Sequence, residues 1–383
     1  MPCRALVACR PEDLIDSPFD AFAVRHRQML ATIAREIEVS LLCLRSPTDA
    51  SPPPALEGVS SYSELALTRV VYASSRVARL RSALGGESQD DRALAAAAAA
   101  LAPDVALTIG PFLGPEYRPL FRRFPSLHVF EEDLSQMHEI ASQSLKGRAF
   151  RRLEVWLHGR SRAQPRIVVS ISPRECEAAR RRYPRARHVY LPFTLDPASW
   201  PRFTDASAGE ALLIAGNLVE QRNAEAAAAV LAELERRRAD LQVPVVLVCD
   251  AGLDPAPAAF LERDWVELRS GAGPLWRHYR AAWAALVPAF RVTGQKTTIL
   301  QAWACGCPVI ASRAAAQSVA APDGALLAGS GAREIVDAIE LLARRAQLRA
   351  ELAAGGFAAL ASGFDPARAE ATLRDLIGEL CDG

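Results

Sequence analysis

The segment TGQKTTILQAWACGCPVIAS, residues 293–312, joins a polar loop, a short helical pattern and a strand-like run. Gly294 predicts a turn with positive φ or a close backbone approach. We expect the helix to begin near Lys296 or Thr297. Because the first N–H groups of a helix lack internal partners, this loop can bind a phosphate. The alternative is a helix cap on a surface loop.

Polar side chains recur through this segment at helical spacing. Thr293, Thr297 and Gln301 are four residues apart, which predicts one polar stripe along the helix, and Lys296 adds a positive charge. The chain contains no GxxxxGK[ST] motif, and no GxGxxG follows its first strand-like run. These absences argue against a Walker-type nucleotide site and against a dehydrogenase.

Outward from this segment, short apolar runs alternate with helical patterns along the chain. Near-continuous apolar strands separated by helices are typical of parallel sheets covered on both faces. We therefore predict an α/β protein with two doubly wound, Rossmann-like domains facing a cleft. Strands are predicted at 4–10, 39–45, 105–110, 127–132, 166–172, 211–216, 243–252, 265–271, 285–290 and 309–312. Helices are predicted at 21–37, around 223–239, and at 274–284, 333–353 and 365–380.

The proline-rich segment between the two series of strands suggests the domain boundary. We predict an N-terminal domain at 1–192, a linker at 193–209 and a C-terminal domain at 210–364. A last helix at 365–383 is expected to return to the N-terminal domain. In open α/β sheets ligands bind beyond the carboxyl ends of the strands.

Composition excludes several classes of protein. The net charge of +1 argues against a nucleic-acid-binding protein. The chain contains no run of about 18 uncharged apolar residues, so the sequence predicts no membrane-spanning helix. The eight cysteines form no CxxC pair and do not cluster with histidines. We expect a cytoplasmic protein with reduced cysteines and no metal site.

A second candidate phosphate site lies in ALLIAGNLVEQRNAEAAAAVLAEL, residues 211–234. A strand ends near Gly216, and Arg222 comes just before the predicted helix. The planar guanidinium suits paired hydrogen bonds to phosphate oxygens. The alternative is a solvated Arg222 that pairs with Glu220 or Glu225.

Three segments together resemble family 4 of the retaining glycosyltransferases, which have the GT-B fold. ALLIAGNLVEQRN is similar to the family's strand followed by Gly-Arg-Leu-x-x-x-Lys-Gly. WVELRSGAGPLWRHYRAAWAALVPAF is similar to its nucleotide-base loop, helix and strand. The segment at 293–312 is similar to its Glu-Gly-Phe-Gly-x-x-x-Leu-Glu-Ala-x-Ala-x-Gly-x-Pro-Val-Ile-Ala-Ser run. The resemblance extends from about residue 160 to the end and is weaker before it.

The resemblance implies transfer of a sugar from a nucleotide diphosphate sugar with retained anomeric configuration, without a metal or other cofactor. It places the donor on the C-terminal domain and the acceptor on the N-terminal one. The acceptor is expected to be a small molecule, a glycan or a lipid-linked compound. The implied donor-binding residues are Gly216, Asn217, Asn223, Leu268, Thr293, Gly294, Gln295, Thr297 and Gln301.

Several positions depart from the family pattern. Arg222 stands at the family's phosphate-binding Lys and is expected, with Lys296, to act on the leaving diphosphate. Asn217 replaces the family's phosphate-binding Arg. The family's two glutamates fall on Thr293 and Gln301. A neutral Gln weakens hydrogen bonding to the ribose by about 1 kcal/mol, which indicates a rearranged donor site.

Carboxylates in HVFEEDLSQMHE, residues 128–139, are the acceptor-side candidates. Glu131 and Asp133 can accept hydrogen bonds from acceptor hydroxyls, and Glu132 can act as a base. The alternative is a solvated loop. His138 is a further candidate, although a lone histidine on a helix is more often structural.

Two basic segments leave a surface role open. ARRRYPRAR at 179–187 suggests anionic phospholipid, RNA or a solvated helix face. RAFRRLEVWLHGRSR at 148–162 contains Trp156 and suggests at most peripheral contact with a membrane, or again a solvated face.

Two other hypotheses for the whole chain stay open. The absent glutamates favour a non-catalytic GT-B protein that binds a nucleotide sugar or a partner glycosyltransferase. A nucleotide-sugar or sugar-phosphate epimerase of the same fold is a third possibility, which GCPVIAS at 306–312 fits less well.

Overall fold

The computed structural model describes most of the 383 residues. The described residues are 3–10, 14, 21–45, 58–66, 87–109, 117–130, 149, 152–153, 156–157, 159–202, 209, 211–249, 253–270 and 274–382. They form two compact units, which comprise 1–192 with 367–383 and 193–366.

The first unit is built on a seven-stranded sheet in the order β3-β2-β1-β4-β5-β6-β7, with every pair of neighbours parallel. Its central strands are buried on both faces, which explains their continuous apolar character. The strands are β1 Arg4–Cys9, β2 Glu38–Arg45, β3 Val59–Ala66, β4 Val105–Thr108, β5 Ser126–Phe130, β6 Ile167–Ser170 and β7 Arg187–Tyr190.

Helices cover both faces of this sheet. They are α1 Ala21–Glu36, α2 Gln89–Leu101, α3 Arg118–Arg123, α4 Pro173–Arg182 and, at the chain end, α12 Pro366–Asp382. Side chains of α1 and α12 pack on one face, and those of α2, α3 and α4 pack on the other. A capping box of Ser88 and Asp91 fixes the start of α2.

The terminal helix is joined covalently to the residue that precedes the first strand. Leu373, Leu376 and Leu380 of α12 are buried in the core of the first unit. Cys3 and Cys381 form a disulfide. The expectation that all cysteines are reduced is therefore wrong for this pair, because folding brings together two positions 378 residues apart in the sequence.

The second unit contains a six-stranded parallel sheet in the order β10-β9-β8-β11-β12-β13. The strand order reverses between β8 and β11, so their carboxyl ends form the topological switch point of a doubly wound sheet. The strands are β8 Ala211–Ala215, β9 Val245–Cys249, β10 Val266–Ser270, β11 Ala282–Val287, β12 Val309–Ser312 and β13 Leu327–Gly329.

The helices of the second unit are α5 Gln221–Arg236, α6 Pro255–Ala258, α7 Trp276–Ala281, α8 Thr297–Ala304, α9 Arg313–Ser318, α10 Ala332–Ala343 and α11 Ala346–Gly363. The α8 helix is largely buried, and the indole N–H of Trp303 donates to Ala325 O at 3.0 Å. A Cβ on Gly356 of α11 would lie 2.2 Å from Trp303 Cδ1, so only glycine fits beneath this ring.

The predicted fold class is confirmed: both units are parallel α/β sheets covered by helices. The main differences lie at edges and boundaries. The prediction omitted β3, β7 and β13. It also placed β11 at 285–290, three residues late. No helix among the described residues is long and apolar enough to cross a membrane.

Candidate functional site

The loop after β8 begins at the switch point of the second sheet. Gly216 has a φ of +135°, a conformation that favours glycine. Asn217 Oδ1 accepts hydrogen bonds from the N–H groups of Val219 and Glu220, both at 3.2 Å, which closes a tight turn. The α5 helix then begins at Gln221. Arg222 therefore lies in the first turn of α5 and not just before the helix, because α5 begins earlier than the sequence predicted.

The loop after β11 leads to the N-terminus of α8. Gly294 has a φ of +68°, and the helix begins at Thr297 as predicted. Thr293 is buried and precedes the turn at Gly294, so it lies outside the helix. The predicted polar stripe of Thr293, Thr297 and Gln301 is therefore wrong, because the chain changes direction at Gly294.

Side chains from these two loops contact each other. Arg222 Nη1 donates to Thr293 Oγ1 at 2.8 Å, although 71 residues separate them in the sequence. Lys296 Nζ donates to Asn223 Oδ1 at 3.4 Å. Thr298 Cγ2 lies 3.7 Å from the position of a Cβ on Gly216. The N-termini of α5 and α8 are thus neighbours and share a polar cluster.

Glu220 balances part of the positive charge in this cluster. Its carboxylate forms an ion pair with Arg222 Nε, and its Oε2 accepts from Asn223 Nδ2 at 2.9 Å. Asn223 Nδ2 also donates to Asn217 O at 3.0 Å. The side chain of Arg222 is only 13% exposed. The pairing with Glu220 that the alternative named is therefore present, but the Arg222 side chain is largely buried and not solvated.

The charges that remain are suited to an anion. Arg222 and Lys296 are cationic and Glu220 is anionic, so these three side chains carry a net charge of +1. The partial positive charge at the N-termini of two helices adds to this. A phosphate group placed here gains charge-assisted hydrogen bonds to both cations.

Two glutamines near the cluster have different surroundings. Gln295 is buried; its Oε1 accepts from the N–H of Phe193 at 2.8 Å, and its Nε2 donates to Phe193 O at 3.4 Å. The side-chain amide of Gln295 is therefore bound to the main chain. Only the backbone of Gln295 is left to contact a nucleotide sugar. Gln301 Oε1, in contrast, is a buried acceptor without a hydrogen-bond partner among the described residues.

The remaining predicted residues divide into two groups. Leu268 is 36% exposed on β10, which is an edge strand separated from β8 by β9. Neighbouring strands are about 4.8 Å apart, so β10 lies on the order of 10 Å from β8 across the sheet. The acceptor-side predictions lie outside the described residues; they are Glu131, Glu132, Asp133 and His138.

Tyr279, which the sequence analysis does not include in the site, contacts the first turn of α8. Its buried hydroxyl donates to Thr298 O at 3.1 Å, and burial raises its pKa well above the ordinary value. The sequence indicates Glu220 only as a competing partner for Arg222. The sequence signal for Glu220 was its position directly before the helix, where a carboxylate is favourable.

The cysteines at the end of α8 are structural. Cys305 and Cys307 are buried, and burial raises the pKa of the Cys305 thiol to about 12. A thiol with this pKa is poorly suited to nucleophilic or ligand chemistry near neutral pH. Among the described residues, no group of three or more His, Cys, Asp or Glu is arranged to hold a metal ion.

Two parallel α/β sheets, together with the similarity of nearly the whole chain to solved glycosyltransferase structures, identify the fold as GT-B. The chain is similar to a sucrose-phosphate synthase from Thermosynechococcus elongatus, with a TM-score of 0.72, 17% identity and 99% of each chain covered. HepE from Anabaena, solved with UDP and glucose, gives a TM-score of 0.68 at 13% identity over 99% of this chain and 100% of that one. An Escherichia coli structure described as trehalose-6-phosphate bound with UDP-2-fluoro glucose gives 0.65 at 10% identity over 99% of each chain.

A family model adds information about the second unit. Residues 209–345 match the family described as Glycosyl transferases group 1. This segment contains β8, the α5 N-terminus and the entire loop that leads to α8, so both halves of the polar cluster lie inside the match. No curated protein sequence matches the chain.

Proposed function

We propose that the protein is a retaining glycosyltransferase that moves a sugar from a nucleotide diphosphate sugar to an acceptor, without a metal or other cofactor. The observation that carries this proposal is the polar cluster at the switch point of the second sheet. There Arg222 and Lys296 lie at two neighbouring helix N-termini and are linked through Thr293 and Asn223.

The two cations account for most of the proposed donor affinity. A hydrogen bond to a charged group contributes roughly 1.5–3 kcal/mol. The helix dipole contributes only about 0.3–1 kcal/mol at each terminus. Arg222 and Lys296 would therefore bind the diphosphate, while the helix N-termini orient it.

The same cations serve the proposed chemical step. The bond between the anomeric carbon of the sugar and the β-phosphate oxygen breaks, and its electron pair stays on the diphosphate. Arg222 and Lys296 stabilise the negative charge that develops there. The acceptor hydroxyl oxygen bonds to the anomeric carbon on the same face, and a base takes its proton. Glu132 stays the sequence-based candidate for this base.

Gln301 provides the proposed contact to the nucleoside. Its Oε1 is buried and has no hydrogen-bond partner among the described residues. An unpaired buried acceptor is costly, and a ribose hydroxyl would satisfy it. A uridine nucleotide is the preferred donor in this proposal because two similar structures were solved with UDP or a UDP-sugar. Membership of family 4 is proposed on the resemblance of the motif at 293–312.

One observation favours a second function, a non-catalytic protein that binds a nucleotide sugar. Thr293 stands where the resemblance implies a glutamate, and its hydroxyl accepts from Arg222. A short side chain engaged in this way cannot reach a donor sugar as a glutamate would. Binding of the diphosphate would then persist without transfer.

The test separates binding from turnover. Calorimetric titration with UDP, UDP-glucose and the corresponding GDP- and dTDP-sugars measures donor affinity. Release of UDP from UDP-glucose, with and without candidate acceptors, measures turnover, and NMR of the product gives its anomeric configuration. Release of UDP supports the enzyme. Tight binding without release supports the second function, and no binding of any of these nucleotides contradicts both.

A further inference from the structure

Positive charge is concentrated in one part of the first unit. Residues 146–187 contain thirteen Lys and Arg against three Glu, although the whole chain has a net charge of only +1. The remainder of the chain is therefore net acidic. A basic region of this size on a nearly neutral protein creates a local field that attracts polyanionic surfaces.

The structure brings two basic segments of this region together. Gln164 Nε2 donates to Gly159 O at 2.8 Å, and Gln164 Oε1 accepts from the N–H of Arg185 at 3.0 Å. Arg181 O lies 3.1 Å from the position of a Cβ on Gly159. Gly159 and the turn that follows it therefore adjoin the end of α4 and the turn after α4.

Arginines on both segments face solvent. On the first segment Arg152, Arg160 and Arg162 are exposed, and on the second Arg181 and Arg185 are exposed. Arg181 pairs with Glu177 at 3.1 Å, and both side chains stay more than half exposed. Surface pairs of this kind contribute little and are readily exchanged for another anion.

Two large apolar side chains project from the same basic region. Trp156 is 55% exposed, the highest value among the exposed large hydrophobic residues that the structure describes, and Leu153 is 44% exposed. Both occupy helical positions three residues apart, so they lie on one face. We name the surface formed by Arg152, Leu153, Trp156, Arg160 and Arg185 the Trp156 surface.

We propose that the Trp156 surface binds an anionic lipid membrane at the level of its headgroups. The arginines complement the negative surface potential, and their long side chains place charge at the headgroups while their stems cover apolar area. Trp156 and Leu153 enter the boundary between headgroups and acyl chains, where tryptophan is favoured. This contact is peripheral.

The geometry around Trp156 distinguishes a lipid from a nucleic acid. The guanidinium of Arg160 lies over the indole ring, 4.7 Å from its centroid. One face of the ring is therefore occupied, so a base could stack only on the other face. Leu153 has no aromatic face at all. Both side chains contribute instead by entering an apolar medium, which a membrane supplies and a phosphate backbone does not.

The proposal is tested by sedimentation of the full-length protein with vesicles. We expect binding to vesicles of equal parts phosphatidylcholine and phosphatidylglycerol, and little binding to phosphatidylcholine alone. Binding should fall steeply with salt, because exposed charges are screened within about 10 Å at moderate ionic strength. Absence of binding to the anionic vesicles overturns the proposal.

Variants locate the contact and separate its two components. The double change Leu153→Ser and Trp156→Ser should weaken binding at least about tenfold by removing the apolar insertion. Arg152→Glu with Arg185→Glu should weaken it by a similar factor, whereas Arg152→Lys with Arg185→Lys should retain it because the charge is kept.

Matched controls lie on the second unit. Leu341 is 37% exposed on α10, so Leu341→Ser changes an exposed leucine away from the Trp156 surface. Arg333→Glu reverses an exposed charge on the same helix. Neither should change binding, and circular dichroism melting verifies that all variants are folded. Equal losses in the controls, or binding to single-stranded RNA that Trp156→Ser abolishes while vesicle binding is unaffected, would contradict the proposal.

Discussion

Two polar clusters in this molecule lie at very different depths. In the first unit His128 is fully buried within β5, and its Nδ1 lies 2.8 Å from Thr108 Oγ1. Four aromatic rings surround it at centroid distances of 5.6 to 6.2 Å; they belong to Tyr117, Phe121, Phe130 and Tyr183. In the second unit the Arg222 cluster lies beyond the strand ends, in the first turn of α5 and in the loop before α8.

The comparison shows how burial changes the protonation and the accessibility of a polar group. Burial lowers the pKa of His128 to about 3, so its imidazole is neutral and serves packing. Arg222 and Lys296 keep partial exposure and helix N-termini beside them, so they can meet a ligand. Burial inside a strand therefore closes one polar group to any ligand, whereas the two cations at the helix N-termini stay partly accessible.

The largest expected effect concerns the Arg222 cluster. Replacing both Arg222 and Lys296 by Ala should weaken UDP binding at least about a hundredfold, since each loses a charge-assisted contact of roughly 1.5–3 kcal/mol. Calorimetric titration measures the affinity. Arg236→Ala is the matched control, because Arg236 lies at the opposite end of α5 with its side chain 71% exposed. Unchanged affinity in the double variant would remove the proposed site.

A substitution in the cluster around His128 should change the stability of the protein and not its ligand affinity. His128→Ala removes a ring from a packed core and should lower the free energy of unfolding by about 2–4 kcal/mol. UDP affinity, measured on the folded fraction, should not change. Chemical denaturation gives the free energy. A loss of UDP affinity without a loss of stability would show that the two clusters are not distinct in role.

Acid stability sharpens the same contrast. The folded-state pKa of His128 is about 3, below its unfolded value of about 6.5, so the unfolded chain binds the proton first. Stability from this group is fully present above pH 6.5 and is lost as the pH falls towards 3. His128→Phe should therefore flatten the decline in unfolding free energy over this range. An identical slope in the variant would contradict the assignment.

A smaller effect is expected from a substitution of Gln295, which supports the Arg222 cluster. Gln295→Ala loses both hydrogen bonds to Phe193 and leaves two main-chain groups unpaired, at a cost of about 1–3 kcal/mol in unfolding free energy. UDP affinity should fall only severalfold, because the loop loses its anchor and keeps its cations. A hundredfold loss would instead indicate that Gln295 contacts the ligand.

The smallest expected change is a gain. Gln301→Glu gives the buried acceptor a charge and should tighten binding of UDP by about fivefold, or about 1 kcal/mol, through the ribose. Gln301→Leu, which has no acceptor, should weaken binding. Comparing UDP with inorganic pyrophosphate assigns the effect, since only UDP has a ribose. Equal changes for both ligands would place Gln301 at the phosphates.

Much of the fold was predictable because the central strands are buried on both faces. Apolar runs such as those of β1 and β8 give a clear signal. The β3 strand has an alternating, largely exposed pattern and was omitted. The β11 strand was placed late because one apolar run covers the end of α7 and the whole strand. Local composition cannot locate that boundary.

The local features of the candidate site could be predicted from the sequence, but the contacts between its distant segments could not. Helix N-termini with Gly294 and Arg222 nearby are local signals. The contact of Arg222 with Thr293 depends on the strand order, which places β8 beside β11. The engagement of Gln295 with Phe193 joins positions 102 residues apart, and nothing near either residue indicates it.

The disulfide between Cys3 and Cys381 makes nearly the whole chain a closed covalent ring. A single cut by a protease anywhere between these residues would leave one molecule of unchanged mass apart from the added water. On a denaturing gel the nicked protein should migrate as one species without reductant and as two fragments with it. Backbone cleavage in a loop would thus escape notice on any denaturing gel that is run without reductant.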